Sequence, residues 1–589
     1  MHANATRGNA HRNGLTRRSF LTGAALAGAG VAAGMAGCSP SKPQTDSASN
    51  ATAPSSAHDG AMTADSYFGT WSFETPDEPI TDIAETIEAE VVVVGAGTGG
   101  LTVANSIAEE GANVVLISAS SKPISRGGSN HATYSKTMEA LGIPRNSAEW
   151  YEKELQANGA RVDTRKWYQY YNHSEEVMNW LIDIMEERGY TTGIENFVPT
   201  INNESGSIYY VPGAHGWYND ENPGMGFNQP LVVNELAARF EELSGTSIHY
   251  HTKACQLVRG DTPNGTSGRV NAVIAEKEDG TYVQYVGSKA VVLATGDFST
   301  NRDMMAKYAP QAMEYITESF FDEEPNYDKE LVYGGLFPGD GQKMGLWIGA
   351  AWQKAWPACP NGGGVKAGPM NGVLPFTGFT VNREGKRFCN EYGMLGTLPF
   401  TIQMGCPGGV SYALWDVNYA EQYPLEWIDG SKPYGIAEPL SADDVIASWE
   451  KSVESGLYFK ADTLDELVSQ MGLPESTLDN IERYNADCES GEDSLFHKHP
   501  GFMIPLSKGP FYGEVSDTSF FLTILGGLRT DENMRVCDKD DNPIEGLYNV
   551  GSMIGDMFYA QYTYMVPGFT YGSNLTLSYL ADKFIVENE

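Results

Sequence analysis

Val91 to Val94 form an unbroken apolar run that ends in Gly95-x-Gly97-x-x-Gly100, after which small and apolar residues recur at helical spacing through Ala108. A run of this kind predicts a strand buried on both faces of a parallel sheet, and the glycines predict the turn from that strand into a helix. A second strand, Asn113 to Ile117, follows Gly111. Helical patterns cover Trp150 to Leu155, Ser174 to Glu187, Leu231 to Leu243 and Leu464 to Tyr484. Strands are expected over Ser247–Gln256, Val270–Glu276 and Val283–Leu293. Beyond Ala36 no stretch is apolar enough to span a bilayer.

The glycines have separate tasks. Gly95 permits a tight turn, Gly97 lets the backbone approach a pyrophosphate, and Gly100 lets helix and strand pack closely, with phosphates over the helix N-terminus. Ala96 and Gly99 complete the loop. This order predicts a dinucleotide site; a glycine turn in an ordinary doubly wound sheet is the alternative. The acidic residue that would close the second strand and hold the ribose is absent. Ser118-Ala119-Ser120 stands there, with the Ser118 hydroxyl as the ribose partner. Arg126-Gly127-Gly128-Ser129 supplies a second glycine pair, and the strand Ala290 to Leu293 runs into Ala294-Thr295-Gly296-Asp297.

This set of motifs resembles the FAD-dependent fumarate reductase and 3-ketosteroid dehydrogenase superfamily, from about Glu90 to Asp582. The resemblance implies FAD rather than NAD. It implies an α/β fold (α+β overall), in which a Rossmann-type FAD-binding domain of the glutathione-reductase kind is interrupted by a cap domain over the substrate. The FAD-binding domain is expected over 76–300 and again over 511–589, with the cap over 301–510. Its cofactor contacts would be Gly95, Ala96, Gly97, Gly99, Gly100, Ser118, Gly127, Gly128, Ser129, Ala294, Thr295 and Gly296, joined by Gly551, Asn574 and Leu575 in the returning part.

Charge adds a location. The formal net charge of −37 repels nucleic acid, and anionic substrates unless a local basic pocket intervenes. The N-terminus runs against that balance, with Arg7, Arg12, Arg17 and Arg18 and no acidic residue before Cys38. Thr16-Arg17-Arg18-Ser19-Phe20-Leu21 is a twin-arginine motif, and Phe20 to Ala36 is a weakly apolar run, so 1–37 reads as a signal peptide. Met35-Ala36-Gly37-Cys38 has lipobox spacing; Cys38 would carry diacylglycerol, and two acyl chains suffice for anchoring. An ordinary thiol near a cleaved signal is the alternative. A flexible tether over 38–75 follows. The expectation is export by the twin-arginine route and lipid attachment to the cell membrane.

Fumarate-type members of the superfamily grip a dicarboxylate with two arginines and two histidines. Laid on this chain, those positions fall at Trp356, about Leu395, Thr523 and Thr570, none of them basic. A dicarboxylate would then enter an acidic protein without a fixed cation, at a large desolvation cost. The run Thr563 to Gly572 instead resembles the Tyr-x-x-Pro-Gly segment of 3-ketosteroid dehydrogenases. That resemblance implies that Tyr564 and the Gly568 N–H hold a carbonyl oxygen as an oxyanion-hole-like pair, worth roughly a few kcal/mol per donor. A Pro-Gly turn beside a core tyrosine is the alternative. Such a site suits hydride addition to the β-carbon of an α,β-unsaturated carbonyl, with a tyrosine protonating the α-carbon. Tyr392, after Arg387-Phe388-x-Asn390-Glu391, is the nearest match to the family's donor; Phe400 competes as its equivalent and would leave no acid. Tyr333, Tyr562 and Tyr571 are reserves. His131 would face the flavin or serve structurally. Trp347, Trp352 and Trp356 would line a flat apolar pocket or pack as helix core.

An exported protein meets no nicotinamide pool, so the expected electron donor is a membrane-bound multihaem cytochrome. Cys255, Cys359, Cys389, Cys406, Cys488 and Cys537 show no ferredoxin spacing, and free buried thiols are the default. A [4Fe-4S] cluster would draw first on Cys359, Cys389 and Cys406. The combination is similar to flavoprotein reductases of gut bacteria that act on cardiac glycosides. That similarity implies reduction of the unsaturated lactone of a bulky, neutral, steroid-like substrate, as in digoxin to dihydrodigoxin, and raises the expectation of a cluster. A 3-ketosteroid dehydrogenase, a fumarate- or urocanate-like reductase and a non-catalytic flavin lipoprotein are the competing readings.

Overall fold

The four valines form the buried end of β1 (Ile83–Val94), and the helical spacing after Gly97 becomes α1 (Thr98–Glu109), buried along nearly its whole length. β2 (Val114–Ile117) runs parallel to β1, Val91 opposite Val114. The computed structural model describes residues 71–196, 211–223, 229–315, 321, 326–329, 335–363, 376–391, 398–422, 432–433, 441–516, 519–560, 562 and 566–588.

A short strand, β3 (Asn130–His131), follows the second glycine pair. α2 (Ala148–Ala157) and α3 (Thr164–Glu187) then begin on Ser147 and Asp163, whose side chains accept backbone N–H groups of the first turn. β4 (Thr191–Asn196) and β5 (Ala214–Tyr218) pair with each other, and β5 pairs with β3. α4 (Gln229–Glu242) leads to β6 (Thr246–His249), parallel to β2. The single strand expected over Ser247–Gln256 is divided. His251 adopts a left-handed conformation (φ 51°), and beyond it β7 (Thr252–Arg259) turns to pair antiparallel with β8 (Val270–Lys277). β9 (Tyr282–Leu293) is central: it lies parallel to β1 and pairs antiparallel with β8.

α5 (Asp340–Trp347) packs against β7. A second, antiparallel sheet follows, in the spatial order β10 (Phe379–Asn382), β11 (Ser411–Asp416), β13 (Phe511–Ser516), β12 (Phe459–Ala461). One core cluster joins Trp415, Tyr512 and Trp449 of α6 (Ala442–Glu454); another joins Phe379, Leu414 and the helices α7 (Leu464–Gln470) and α8 (Thr477–Ser490). Gly472 (φ 69°) and Pro474 separate α7 from α8, which breaks the continuous helix expected over Leu464–Tyr484. Beside this sheet, buried Arg387 is held by Glu391 and Asp493 (2.7 and 2.9 Å), with Lys498 3.4 Å from Glu391. β14 (Pro543–Asn549) then returns to the first sheet, parallel to β9, and α9 (Phe569–Asn588) packs on α1 and α3. The result is the α/β fold (α+β overall) expected, with the β3–β5 sheet and the antiparallel β10–β13 sheet separate from the nine-stranded one. Among the described residues no helix is long and apolar enough to cross a membrane.

Candidate active site

The β1–α1 turn has the shape its glycines require. Gly95 has φ 118°, and a Cβ there would overlap the Ala294 carbonyl; a Cβ at Gly100 would overlap the Gly95 carbonyl. Gly97, the residue before α1, supplies no side-chain cap, so the helix N-terminus is left to an anion. At the end of β2 the Ser118 and Ser120 hydroxyls lie 2.7 Å apart, and Ser120 donates to the Lys122 carbonyl. Ser118 is therefore the donor of that pair and keeps acceptor capacity for a ribose hydroxyl.

The remaining cofactor motifs converge on this turn. Gly99 abuts Gly551. The Thr295 N–H lies 3.3 Å from the Met553 sulfur, the Thr295 hydroxyl accepts from Gly341 N–H, and Gln342 donates to the Gly296 carbonyl at 2.9 Å. Asn574 and Leu575 are buried near the start of α9. Gln229, a residue that the sequence motifs did not mark, donates to the Gly128 carbonyl at 2.8 Å and accepts from the Thr98 hydroxyl at 3.3 Å. It ties the second glycine pair to the first turn of α1; only its place beside Pro230, at a helix start, hints at this. Ser129 bonds Glu195, whose carboxyl burial pushes well above the usual range. Glycines that cannot carry a Cβ, an open helix N-terminus and a serine at the ribose position together fit FAD.

Gly568 stands just ahead of α9 with φ 74°. Its carbonyl accepts the His131 N–H at 3.0 Å, and a Cβ would lie 2.8 Å from the Ser129 carbonyl oxygen. The turn is thus pressed against the strand that follows the second glycine pair. Tyr564, Tyr392 and Tyr333 lie outside the described residues, as does Leu395. Tyr562 and Tyr571 are braces for the backbone rather than poised acids. Tyr562 donates to the Val566 carbonyl and accepts from Phe569 N–H (3.1 and 3.0 Å), Tyr571 donates to the Arg126 carbonyl, and burial raises both phenols. His131 takes its structural role. Nε2 donates to the Pro212 carbonyl at 3.1 Å, Nδ1 meets Tyr170 at 2.6 Å, and burial, then His215, lowers its pKa to about 3.

The three tryptophans do not form one wall. Trp347 is core, its indole N–H bonded to the Phe73 carbonyl; Trp352 stacks on Tyr308 (3.7 Å, 11°); Trp356 is 39% exposed. Of the two threonines that the sequence motifs set against the fumarate-type anchors, Thr523 donates to Asp297 at 2.7 Å and the Thr570 side chain bonds Tyr562. No disulfide joins the cysteines among the described residues. Cys359 lies by Asp297, whereas Cys389 and Cys406 neighbour each other, with burial pushing the Cys406 thiol up to about 12. Among the described residues no three His, Cys, Asp or Glu side chains are arranged to hold a metal ion, so these do not fit a [4Fe-4S] cluster on Cys359, Cys389 and Cys406.

The sequence profile of the FAD binding domain family, FAD_binding_2, matches residues 90–562. An NADH:acrylate oxidoreductase of Vibrio harveyi is 30% identical over 55% of this chain, although the match spans only 29% of that relative. A vinyl phenol reductase of Lactiplantibacillus plantarum is 25% identical over 82% of this chain and 92% of its own length. A 3-oxosteroid 1-dehydrogenase of Mycolicibacterium smegmatis is 29% identical over 49% of this chain and 51% of its own. The fold is shared with a 3-ketosteroid-Δ4-(5α)-dehydrogenase from Rhodococcus jostii, TM-score 0.62 at 21% identity over 87% of this chain and 99% of that one. A flavocytochrome c3 fumarate reductase gives 0.57 at 20% identity over 86% and 79%.

Proposed function

The chain belongs to the FAD binding domain family, and from that membership we propose that it is an FAD-dependent reductase of a carbon–carbon double bond conjugated to a carbonyl. Relatives named for acrylate, urocanate and fumarate reduction support that class, and one named for vinyl phenol supports C=C reduction without a carbonyl. FAD, held by the two glycine loops, Ser118 and the Ala-Thr-Gly end of β9, supplies the hydride when bound.

The observation that carries the proposal is the Gly568 turn. It sets the Gly568 backbone beside Ser129 and His131, at the N-terminus of the long helix α9 where the helix dipole favours negative charge, and in this reading its N–H is the first donor to the substrate carbonyl oxygen. Tyr564, four residues earlier, supplies the second donor to the substrate carbonyl oxygen. With hydride from bound FAD added at the β-carbon, a tyrosine hydroxyl, Tyr392 or Tyr333, would give its proton to the α-carbon. The substrate class is bulky and neutral, with the unsaturated lactone of a cardiac glycoside as the specific acceptor. Electrons reach the protein from a membrane-bound multihaem cytochrome, beside which the Cys38 lipid anchor holds it after twin-arginine export. An iron–sulfur cluster has no part in this reading.

The test is anaerobic stopped-flow: the protein is reduced with dithionite, excess reductant is removed, and flavin reoxidation is followed on mixing with digoxin, fumarate or a 3-keto-4-ene steroid. Fast reoxidation by digoxin, slowed about 100-fold in Tyr564→Phe, is expected. Reoxidation by fumarate alone would overturn the neutral-substrate reading.

A further inference from the structure

Arg126, immediately ahead of the second glycine pair, reaches across to Asp297, immediately after Ala294-Thr295-Gly296, at 3.2 Å. The Asp297 side chain is 1% exposed and that of Arg126 13%. Oδ2 of Asp297 also accepts the Thr523 hydroxyl at 2.7 Å, and Oδ1 accepts the Ser299 hydroxyl at 2.7 Å. On its other side the Arg126 backbone is tied to the Gly568 region, since Tyr571, three residues past Gly568, donates to the Arg126 carbonyl. The ion pair therefore connects three segments of the site: the second glycine pair, the end of β9 and the stretch leading to Gly526-Gly527.

A guanidinium in a largely water-excluded site is a receptor for a carboxylate. Here the protein's own carboxylate occupies it, and the Thr523 and Ser299 hydroxyls hold that carboxylate in place. The substrates in the relatives' names differ in charge: acrylate, urocanate and fumarate carry a carboxylate, whereas vinyl phenol and the 3-oxosteroids do not. We propose that Asp297 is a specificity-determining residue: by pairing internally with Arg126 it withholds that charge from the substrate and sets the site for uncharged acceptors. This rests on the reading of the site as one that reduces activated double bonds.

Acrylate and acrylamide share a carbon skeleton and differ in charge, so their ratio isolates the effect. Reduced wild-type protein is expected to be reoxidised faster by acrylamide than by acrylate. Asp297→Asn removes the negative charge that faces Arg126 and moves the acrylate-to-acrylamide ratio of kcat/KM about tenfold toward acrylate, mainly through KM. The gain vanishes in the double variant Asp297→Asn, Arg126→Met. Asp297→Ser provides the same comparison where the amide variant does not retain FAD. A wild type that prefers acrylate, or an FAD-loaded Asp297→Asn with an unchanged ratio, overturns the proposal. Titration of the oxidised flavin's absorbance with acrylate gives a separate readout. If no acceptor reoxidises the wild type, the reductase reading fails, while acrylate binding that tightens in Asp297→Asn upholds the role of Asp297 and binding that does not tighten refutes it.

Discussion

One methyl group at Gly568 separates packing from backbone strain. In Gly568→Ala the left-handed backbone (φ 74°) costs about 1 kcal/mol. The new Cβ also meets the Ser129 carbonyl oxygen at 2.8 Å and the His131 nitrogen at 3.1 Å, both backbone atoms that cannot rotate away. The turn must shift by several tenths of an ångström, which strains the 3.0 Å bond from His131 N–H to the Gly568 carbonyl, worth about 1 kcal/mol. A loss of about 2 kcal/mol in a chain of this size lowers Tm by only about 2 °C, because unfolding entropy scales with length. On the proposed role of its N–H, activity responds far more, since an oxyanion donor moved out of line forfeits roughly 100-fold in kcat. Gly111→Ala is the matched control: φ is 89°, but nothing lies within 4 Å of its Cβ. It carries the same strain without the collision and keeps full kcat. Turnover of a soluble enone with a reduced viologen, flavin content and calorimetry measure the three quantities. Gly568→Ala with wild-type kcat and full FAD would refute the placement of the amide at the substrate carbonyl.

Two further outcomes follow from the same geometry. Gly97→Ala, whose Cβ meets only the Ile124 carbonyl oxygen at 3.4 Å, folds normally but binds FAD weakly, whereas Gly100→Ala collides with the Gly95 carbonyl and loses both FAD and Tm; flavin absorbance and calorimetry distinguish them. Burial holds His131 and His215 neutral, with pKa values lowered to about 3 and about 4, so below the unfolded value near 6.5 the unfolded chain takes up protons that the native protein refuses. Stability therefore falls as pH drops from 6.5 toward 4, by about 1.4 kcal/mol per pH unit for each histidine, and His131→Gln makes the fall shallower; a variant whose Tm tracks the wild type across that range contradicts the assignment.

The FAD half of the molecule was legible in the sequence because its signals are local. Four valines, three spaced glycines and the helical period after them depend on neighbours a few residues away, and β1, α1 and β2 form where those patterns place them. Where a local signal was ambiguous, a single backbone conformation decided: His251 turned one expected strand into two, and Gly472 with Pro474 did the same to a helix. The site's polar contacts were beyond such reading. Arg126 and Asp297 both stood in view within recognised motifs, yet nothing in either motif says that they pair across 171 residues, or that Thr523 reaches the same carboxylate from 226 residues away. Likewise Tyr562, Tyr571 and His131 had the chemistry of proton carriers, and only burial and their backbone partners show them to be braces. Sequence determines what a residue is able to donate or accept; which partner takes that bond depends on the tertiary fold, because charge, burial and hydrogen bonding act over a few ångströms of space regardless of distance along the chain.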